Sequence, residues 1–203
     1  MFEPVSWPMA QVMRFIRTAI QDLGNMSAMS AVLHRTGIPS SWSPPPLSWT
    51  KINIDGSFIP ASSLCASGGV ARDAAGTWLF GFMSRHGHGD PLMAELAAIR
   101  QGLSLCWQRG IRKIQCESDC AQAITLLHNS GIGANPVYQV ELTACLHLLQ
   151  LDWEVSLIVV PRNCNSVAYK LPKMAHTYRL PFACFGIPPP AVLSFLASDR
   201  GIS

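Results

Sequence analysis

The sequence predicts an α/β domain built on a mixed five-stranded sheet with helices on both faces. Two observations support this prediction. Three strand-like segments follow one another in the first half of the chain, and two of them are joined by a tight turn, as in an antiparallel hairpin. From Pro91 onward, helical segments alternate with short apolar segments, which is typical of a sheet covered by helices.

The first three strands are predicted from alternation and from turn residues. In residues 51–57, isoleucines alternate with polar residues, so the two sets of side chains point to opposite faces of a sheet. Residues 67–73 and 77–85 flank a turn that ends at Gly76, which predicts a hairpin.

The later elements alternate between helix and strand. Residues 91–109 carry apolar side chains at helical spacing, and Gly110 is a typical helix stop. The remaining predicted elements, in order, are a strand over 112–118, a short helix over 120–129, a helix from Asn135 to about Gln150, a strand over 153–160 and a last helix that Asn165 could cap.

Residues 1–48 differ in composition from the rest and are predicted to form a leader. Residues 9–23 carry apolar side chains at helical spacing, whereas residues 40–47 contain three consecutive prolines that favour an extended linker. We therefore expect the folded domain to span residues 49–203. We also expect the leader to contact it little and the prolines to be solvated.

The composition supports a folded domain without a strong electrostatic preference. The chain is 49% hydrophobic and 13% charged, and its formal net charge of +3 is only a weak bias toward anionic partners. The seven cysteines include no Cys-x-x-Cys pair, which favours reduced thiols in a cytoplasmic or nuclear protein. No apolar stretch approaches the ~20 residues that a membrane span needs. We expect a monomer that does not bind membranes.

Three acidic residues occupy distinctive positions in a chain that has only 12 of them. Asp55 ends the first strand, Glu95 lies near the start of the first long helix, and Asp119 follows the fourth strand. Converging carboxylates bind Mg²⁺ ions that catalyse phosphoryl transfer, so these residues are candidate ligands of one metal site. Each also has a simpler interpretation, as a turn residue, a solvated acid at a helix start and a helix N-cap, respectively.

Five short segments carry a family resemblance, and they are residues 49–57, 68–76, 94–98, 117–119 and 160–168. In this order they resemble the ribonuclease H-like domain of plant genomes, which is related to the ribonuclease H of non-LTR retrotransposons in the RNase H type-1 superfamily. The resemblance extends from Trp49 to about Ser203. It implies a ribonuclease H-like fold and Mg²⁺-dependent endonucleolytic cleavage of RNA in RNA–DNA hybrids.

The resemblance also implies a set of site residues. In the family, four carboxylates hold two Mg²⁺ ions, and Mn²⁺ is a possible substitute. The matching positions here are Asp55, Glu95 and Asp119, which would be both catalytic residues and metal ligands. The fourth carboxylate lies in a family motif of the form Asn-x-Val-Ala-Asp, and Tyr169 occupies its place in this chain.

This substitution predicts an impaired active site. A tyrosine titrates near ~10 and an aspartate near ~3.9, so at neutral pH position 169 offers a neutral phenol to a hard cation. Lys170 adds positive charge beside it, and Val159 stands where relatives often carry a histidine. Pro172 predicts that the last helix breaks or kinks near Leu171, because proline lacks a backbone donor.

Contacts with nucleic acid are expected to be few. An RNA–DNA hybrid would be recognised by its shape and its phosphates. The short, uncharged segment 130–135 lacks the basic protrusion of some bacterial-type ribonucleases H. Phosphate contacts would therefore fall to scattered residues and be weak and salt-sensitive, and the candidates are Lys51, Arg72, Arg162 and Lys170.

Two functions stay open at this point. One is an impaired hybrid ribonuclease. The other is a catalytically silent, retroelement-derived domain that binds nucleic acid weakly or serves as a protein-interaction module.

Overall fold

A computed structural model of the protein describes residues 41–199. Within this range the chain forms a sheet of six strands in the order β5-β4-β1-β2-β3-β6. The strands are β1 Thr50–Ile59, β2 Leu64–Arg72, β3 Trp78–His88, β4 Lys113–Ser118, β5 Glu154–Val159 and β6 Phe182–Phe185. The helices are α1 Pro91–Gln108, α2 Ala121–His128, α3 Gln139–Leu149, α4 Ser166–Tyr178 and α5 Leu193–Asp199.

The sheet is mixed, as the sequence predicts. Strands β1, β2 and β3 pair antiparallel in chain order, whereas β4 runs parallel to both β1 and β5. The predicted strand count is wrong by one, because β6 pairs antiparallel with β3 at the edge of the sheet. This strand is only four residues long, so it has no alternation long enough to detect in the sequence.

Two hydrophobic cores lie on the two faces of the sheet. Ile52 and Ile54 of β1 pack in one core with Leu96 and Ile99 of α1. The other core joins β2 and β3 to α4 and α5 and includes Leu171. Because neighbouring residues of a strand point to opposite faces, the polar residues that alternate with the isoleucines of β1 lie on the α4 side.

The last long helix continues through its proline. Helix α4 spans Ser166–Tyr178 with Pro172 inside it, so the helix does not break near Leu171, which was one of the two expected effects of the proline. Pro172 is buried against β2 at Gly68, where an added Cβ would lie 2.6 Å from the proline Cδ. The close packing of the proline ring on a glycine stabilises the helix in this position, and this compensates for the missing backbone hydrogen bond.

The described part of the leader packs on the domain, contrary to expectation. Trp42 is 7% exposed, its indole Nε1 donates to Asn53 Oδ1 at 2.9 Å, and the guanidinium carbon of Arg72 lies 3.6 Å from its ring centroid. Pro45 is buried, whereas Pro44 and Pro46 are exposed as predicted. The folded domain therefore begins before Trp49. The predicted helix over residues 9–23 lies outside the described residues.

Two further expectations concern the cysteines and the possibility of a membrane-spanning helix. All seven cysteines are free thiols. Among the helices of residues 41–199, none combines the length and the apolar character that crossing a bilayer requires.

Candidate functional site

Two strands and a helix bring three carboxylates together. The parallel pairing of β1 and β4 places Asn53 opposite Glu117, so Asp55 and Asp119, each two residues further along, lie side by side. Glu95 approaches them from α1. One ligand atom of each acid lies within 4.8 Å of the others. We call Asp55, Glu95 and Asp119 the acidic triad.

A glycine allows α1 to approach β1 closely enough for this arrangement. A Cβ added at Gly56, the residue after Asp55, would lie 2.5 Å from the backbone nitrogen of Glu95. No side chain fits at that distance, so only glycine permits the contact between strand and helix. The sequence Asp55-Gly56-Ser57 therefore supplies both a carboxylate and the space for the helix that carries the next one.

The simpler interpretations of the triad residues are wrong. Asp55 is 1% exposed and lies within β1, so it is not a solvated turn residue. Glu95 is partly buried in the second turn of α1, away from the exposed start of the helix. The N-cap residue of α2 is Cys120, whereas Asp119 faces the other two acids.

Burial and mutual repulsion raise the pKa of two of the three acids. Burial, followed by the charge of Asp119, raises the pKa of Asp55 to about 7. Burial, followed by the charges of Asp55 and Asp119, raises the pKa of Glu95 to about 8, although hydrogen bonds from Gly56 and Ser118 oppose this shift. The surroundings of Asp55 and Glu95 therefore disfavour the ionised form of both carboxyl groups in the protein alone.

The triad fits one divalent cation. The buried Oδ1 of Asp55 has no hydrogen-bond partner among the described residues. An unpaired buried carboxylate oxygen is costly unless a cation or a donor meets it. Hard cations such as Mg²⁺ prefer carboxylate oxygens, so Asp55, Glu95 and Asp119 are the residues that could hold such an ion.

Two cations flank the residue at the fourth family position. Arg162 Nε donates to Asp119 Oδ2 at 3.0 Å, and its guanidinium carbon lies 5.2 Å from the ring centroid of Tyr169. Lys173 Nζ lies 3.5 Å from the same centroid, and a hydrogen bond from Lys173 lowers the pKa of the Tyr169 phenol. Where the family has a fourth carboxylate, this chain has a phenol between two positive charges.

Lys173 is a site residue that the sequence reasoning missed. It follows Tyr169 by four residues, a spacing that places two side chains next to each other on a helix. That spacing was a usable signal once α4 was predicted. The expected disruption of the helix near Leu171 hid this signal, because Tyr169 and Lys173 would then lie on opposite sides of the disruption.

A cleft opens beside the triad. It has a volume of about 240 Å³ and is lined by Pro91, Leu92, Glu95, Asp119, Cys120, Gln122 and Arg162. A larger groove of about 680 Å³ lies between α1 and α3, away from the acids, and its one arginine, Arg100, is paired with Glu141. The smaller cleft is therefore the one next to the candidate chemistry.

Two of the four residues expected to contact phosphate cannot do so in this structure. Lys51 is 4% exposed and paired with Glu117, and Arg72 is 2% exposed and paired with Asp199. The prediction is wrong for both residues, because each charged group is buried in an ion pair with a residue far away in the sequence. Arg162 has a side chain that is 72% exposed, and Lys170 is partly exposed on α4, so their contact with phosphate stays a prediction.

Lys51 and Arg72 belong to a buried network that adjoins the triad. Asn53 connects its two ion pairs, since its amide donates to Glu117 Oε2 at 2.8 Å and its oxygen accepts from Arg72 Nη2 at 2.9 Å. Two cations face two anions, so the network is electrically neutral. We call it the β1 ion-pair network, and its members are Lys51, Asn53, Arg72, Glu117 and Asp199.

The comparison with known sequences identifies a family. The sequence profile of the reverse transcriptase-like family matches residues 53–175, which include the triad and Tyr169. A "Putative ribonuclease H protein" of Arabidopsis thaliana is 31% identical over 158 residues, which are 78% of this chain and 25% of the relative. The chain thus spans about a quarter of the length of this curated relative.

Solved structures share the fold at low sequence identity. RNase H1 from the archaeon Halobacterium salinarum NRC-1 matches with a TM-score of 0.60 and 21% identity, over 64% of this chain and 98% of that one. The N-terminal RNase H domain of a Mycobacterium tuberculosis protein matches with a TM-score of 0.59 and 18% identity, over 64% of this chain and 94% of that one. LC11-RNase H1, crystallised with an RNA/DNA hybrid, matches with a TM-score of 0.59 and 16% identity, over 64% and 98% of the two chains. These structures show the ribonuclease H fold, and the family profile together with the Arabidopsis relative shows that the chain belongs to the reverse transcriptase-like, ribonuclease H-like family.

Proposed function

We propose that this domain binds RNA–DNA hybrids together with one divalent cation, Mg²⁺ or Mn²⁺, and that its ancestral endonucleolytic cleavage of the RNA strand is strongly reduced. The observation that carries the proposal is the acidic triad, whose ligand atoms lie within 4.8 Å of one another and whose Asp55 has a buried oxygen without a hydrogen-bond partner. The hybrid is the proposed ligand because a fold relative, LC11-RNase H1, was solved with one bound.

The residues of the chain would position such a cation firmly. When bound, a divalent cation supplies Lewis-acid polarisation of a phosphate and lowers the pKa of bound water. Asp55, Glu95 and Asp119 come from three different packed elements, so their relative positions are fixed by the cores on both faces of the sheet. Ser118 adds a hydroxyl beside Glu95, which restricts the orientation of that carboxylate.

The fourth position explains why cleavage would be weak. A second cation beside Asp55 would meet the phenol of Tyr169 in place of a carboxylate. The positive charges of Arg162 and Lys173 both act on Asp55, and they would repel this second cation. We propose that the chain holds the first cation and fails to hold a second one.

The competing proposal is a wholly silent domain that retains only weak binding to nucleic acid or to a protein partner. The same cations favour it, because Arg162 and Lys173 supply charge for binding and no group for chemistry. In either case we place the domain, as a monomer with reduced thiols, in the cytoplasm or nucleus of a plant and derive it from a retroelement. The similarity to an Arabidopsis protein supports the plant origin.

A cleavage assay with restored acidity tests the proposal. Hydrolysis of a labelled RNA–DNA hybrid in Mg²⁺ should be on the order of a hundredfold slower for the unmodified chain than for Tyr169→Asp, since an active-site metal ligand contributes several kcal/mol. Because α4 is continuous through Pro172, adding Pro172→Ala to Tyr169→Asp should change the rate little.

The controls separate the two proposals. Tyr169→Asp combined with Asp55→Asn should lose the recovered activity, because the triad is then incomplete. Robust Mg²⁺-dependent cleavage by the unmodified chain, abolished by Asp55→Asn, would contradict the impairment. No recovery in Tyr169→Asp would favour the silent domain.

A further inference from the structure

We infer that Arg162 is an exchangeable cation that pairs either with Asp119 or with a phosphate of bound nucleic acid, and that it thereby couples cation binding at the triad to hybrid binding. This inference rests on the proposed function of the triad. It adds a residue that links the cation to the RNA–DNA hybrid, and it predicts that each of these ligands strengthens the binding of the other.

The ion pair between Arg162 and Asp119 has the features of a pair in which the arginine can change partner. The only described bond from Arg162 to Asp119 is the single contact from Nε at 3.0 Å, and the arginine side chain is 72% exposed while the Asp119 side chain is 12% exposed. Arg162 also lies in a 3-10 turn, Arg162–Cys164, and not within a long helix or a strand. Water screens the charge of the exposed guanidinium, so breaking this pair costs less than breaking one that is buried on both sides.

Two cations compete for Asp119, namely Arg162 and the divalent cation proposed at the triad. Asp119 belongs to the triad that fits a divalent ion, and the same carboxylate accepts the hydrogen bond from Arg162. A doubly charged ion at the triad would compete for the oxygens of Asp119 and repel the guanidinium. Occupation of the triad therefore weakens the pairing of Arg162.

Once released from Asp119, the guanidinium of Arg162 would lie beside a second positive charge, and the two together would attract an anion. The Tyr169 ring has Arg162 at 5.2 Å and Lys173 at 3.5 Å from its centroid, so two positive charges share one aromatic surface. Arg162 also lines the cleft that Glu95 and Asp119 line. Arginine binds phosphate through two parallel N–H groups, and the group recognised here is a phosphodiester of the nucleic-acid backbone.

The coupling has a definite sign. A cation at the triad frees Arg162 for phosphate, and a phosphate at Arg162 frees Asp119 for the cation. Each ligand should strengthen the binding of the other by the same factor, because coupling free energies are reciprocal. Without Arg162, the competition and this part of the coupling both disappear.

Binding measurements on single variants test this exchange. Mn²⁺ affinity is measured by isothermal titration calorimetry. The affinity for a labelled RNA–DNA hybrid is measured by fluorescence anisotropy with and without Mn²⁺, with the hybrid checked to be intact on a gel. We expect Arg162→Gln to bind Mn²⁺ several-fold more tightly and the hybrid several-fold more weakly. We also expect that Mn²⁺ strengthens hybrid binding in the unmodified chain and does so much less in Arg162→Gln.

Two further variants isolate the role of Arg162. Lys113→Gln removes one positive charge from an exposed ion pair with Glu154 at the opposite end of β4, so it should leave Mn²⁺ affinity and the coupling unchanged. Lys173→Gln should weaken hybrid binding but keep Mn²⁺-dependent strengthening, because Arg162 is still present. Arg162 is exposed, so its substitution should leave the circular dichroism spectrum unchanged.

Failure of the exchange and failure of the proposed function give different results. If the unmodified chain and Arg162→Gln both bind Mn²⁺ with equal affinity and Asp55→Asn does not bind it, only the exchange is contradicted. If neither of the first two binds Mn²⁺, the triad site and the exchange are both contradicted. A coupling that persists undiminished in Arg162→Gln also contradicts the exchange.

Discussion

Two buried polar clusters lie next to each other along β1, and they differ in charge balance. In the β1 ion-pair network, Lys51 and Arg72 face Glu117 and Asp199. The acidic triad begins only two residues beyond Asn53 and contains three carboxylates. Within residues 41–199, the exposed Arg162 is the one residue that forms an ion pair with them. The charged members of the network and Asp55 are buried, and Glu95 and Asp119 are partly buried. Burial of charge alone therefore does not distinguish the candidate site from the rest of this fold, whereas a lack of charge compensation does.

The two clusters also differ in their contribution to the stability of the protein alone. Every charge of the network has an opposite partner, so the network holds Trp42, β1, β4 and α5 in place without excess charge. The triad buries carboxylates beside one another, and burial, followed by the repulsion between them, raises the pKa of Asp55 and of Glu95. Such an arrangement is unfavourable for the protein alone and becomes favourable when a cation is bound.

Removing an acid from the network should give the largest loss of stability. Glu117→Gln leaves Lys51 buried at 4% exposure without its counter-charge, which costs ~3–5 kcal/mol in comparable cases. We expect this loss in the free energy of unfolding measured by urea denaturation at neutral pH.

A matched substitution on the surface is the control for this loss. Glu154→Gln removes the partner of Lys113 in an ion pair whose side chains are 49% and 46% exposed, and it should cost less than ~1 kcal/mol. If Glu117→Gln cost no more than Glu154→Gln, the network would not be the stabilising element that we describe.

Removing an acid from the triad should have the opposite and smaller effect, and pH reveals it. The pKa of Asp55 rises from 3.8 to about 7 and that of Glu95 from 4.5 to about 8 on folding, so the folded chain binds these protons more tightly than the unfolded chain. In the absence of divalent cations, the free energy of unfolding should therefore fall as pH rises from about 4 to about 8.

Asp55→Asn tests the origin of this pH dependence. The variant removes one titrating group and the repulsion on Glu95, so its stability should fall less over the same pH range. Above the raised pKa values it should exceed the unmodified chain in stability by on the order of 1 kcal/mol. Urea denaturation at several pH values measures both effects, and identical pH profiles for the two proteins would show that the triad is not the source.

Local patterns in the sequence predicted most of the fold. The alternation in β1 and the helical spacing of α1 are properties of consecutive residues, and both elements appear close to their predicted bounds. The convergence of Asp55, Glu95 and Asp119 was also predictable, because strand ends and a helix start meet at one place in such a sheet.

The failures have a common physical reason, which is contact between residues far apart in sequence. Trp42 is fixed by Asn53 and Arg72, and Pro172 is accommodated by Gly68. Nothing near Lys51 in the sequence shows that Glu117 neutralises it. The short strand β6 depends likewise on its pairing with β3.

Calorimetric titration of the purified protein with Mn²⁺ at neutral pH shows whether the acidic triad holds a single divalent cation. We predict a stoichiometry of one cation per chain for the unmodified protein and no detectable binding for Asp55→Asn, with both proteins folded by circular dichroism. Absence of binding to the unmodified protein, binding that survives Asp55→Asn, or two cations per chain would each contradict the account.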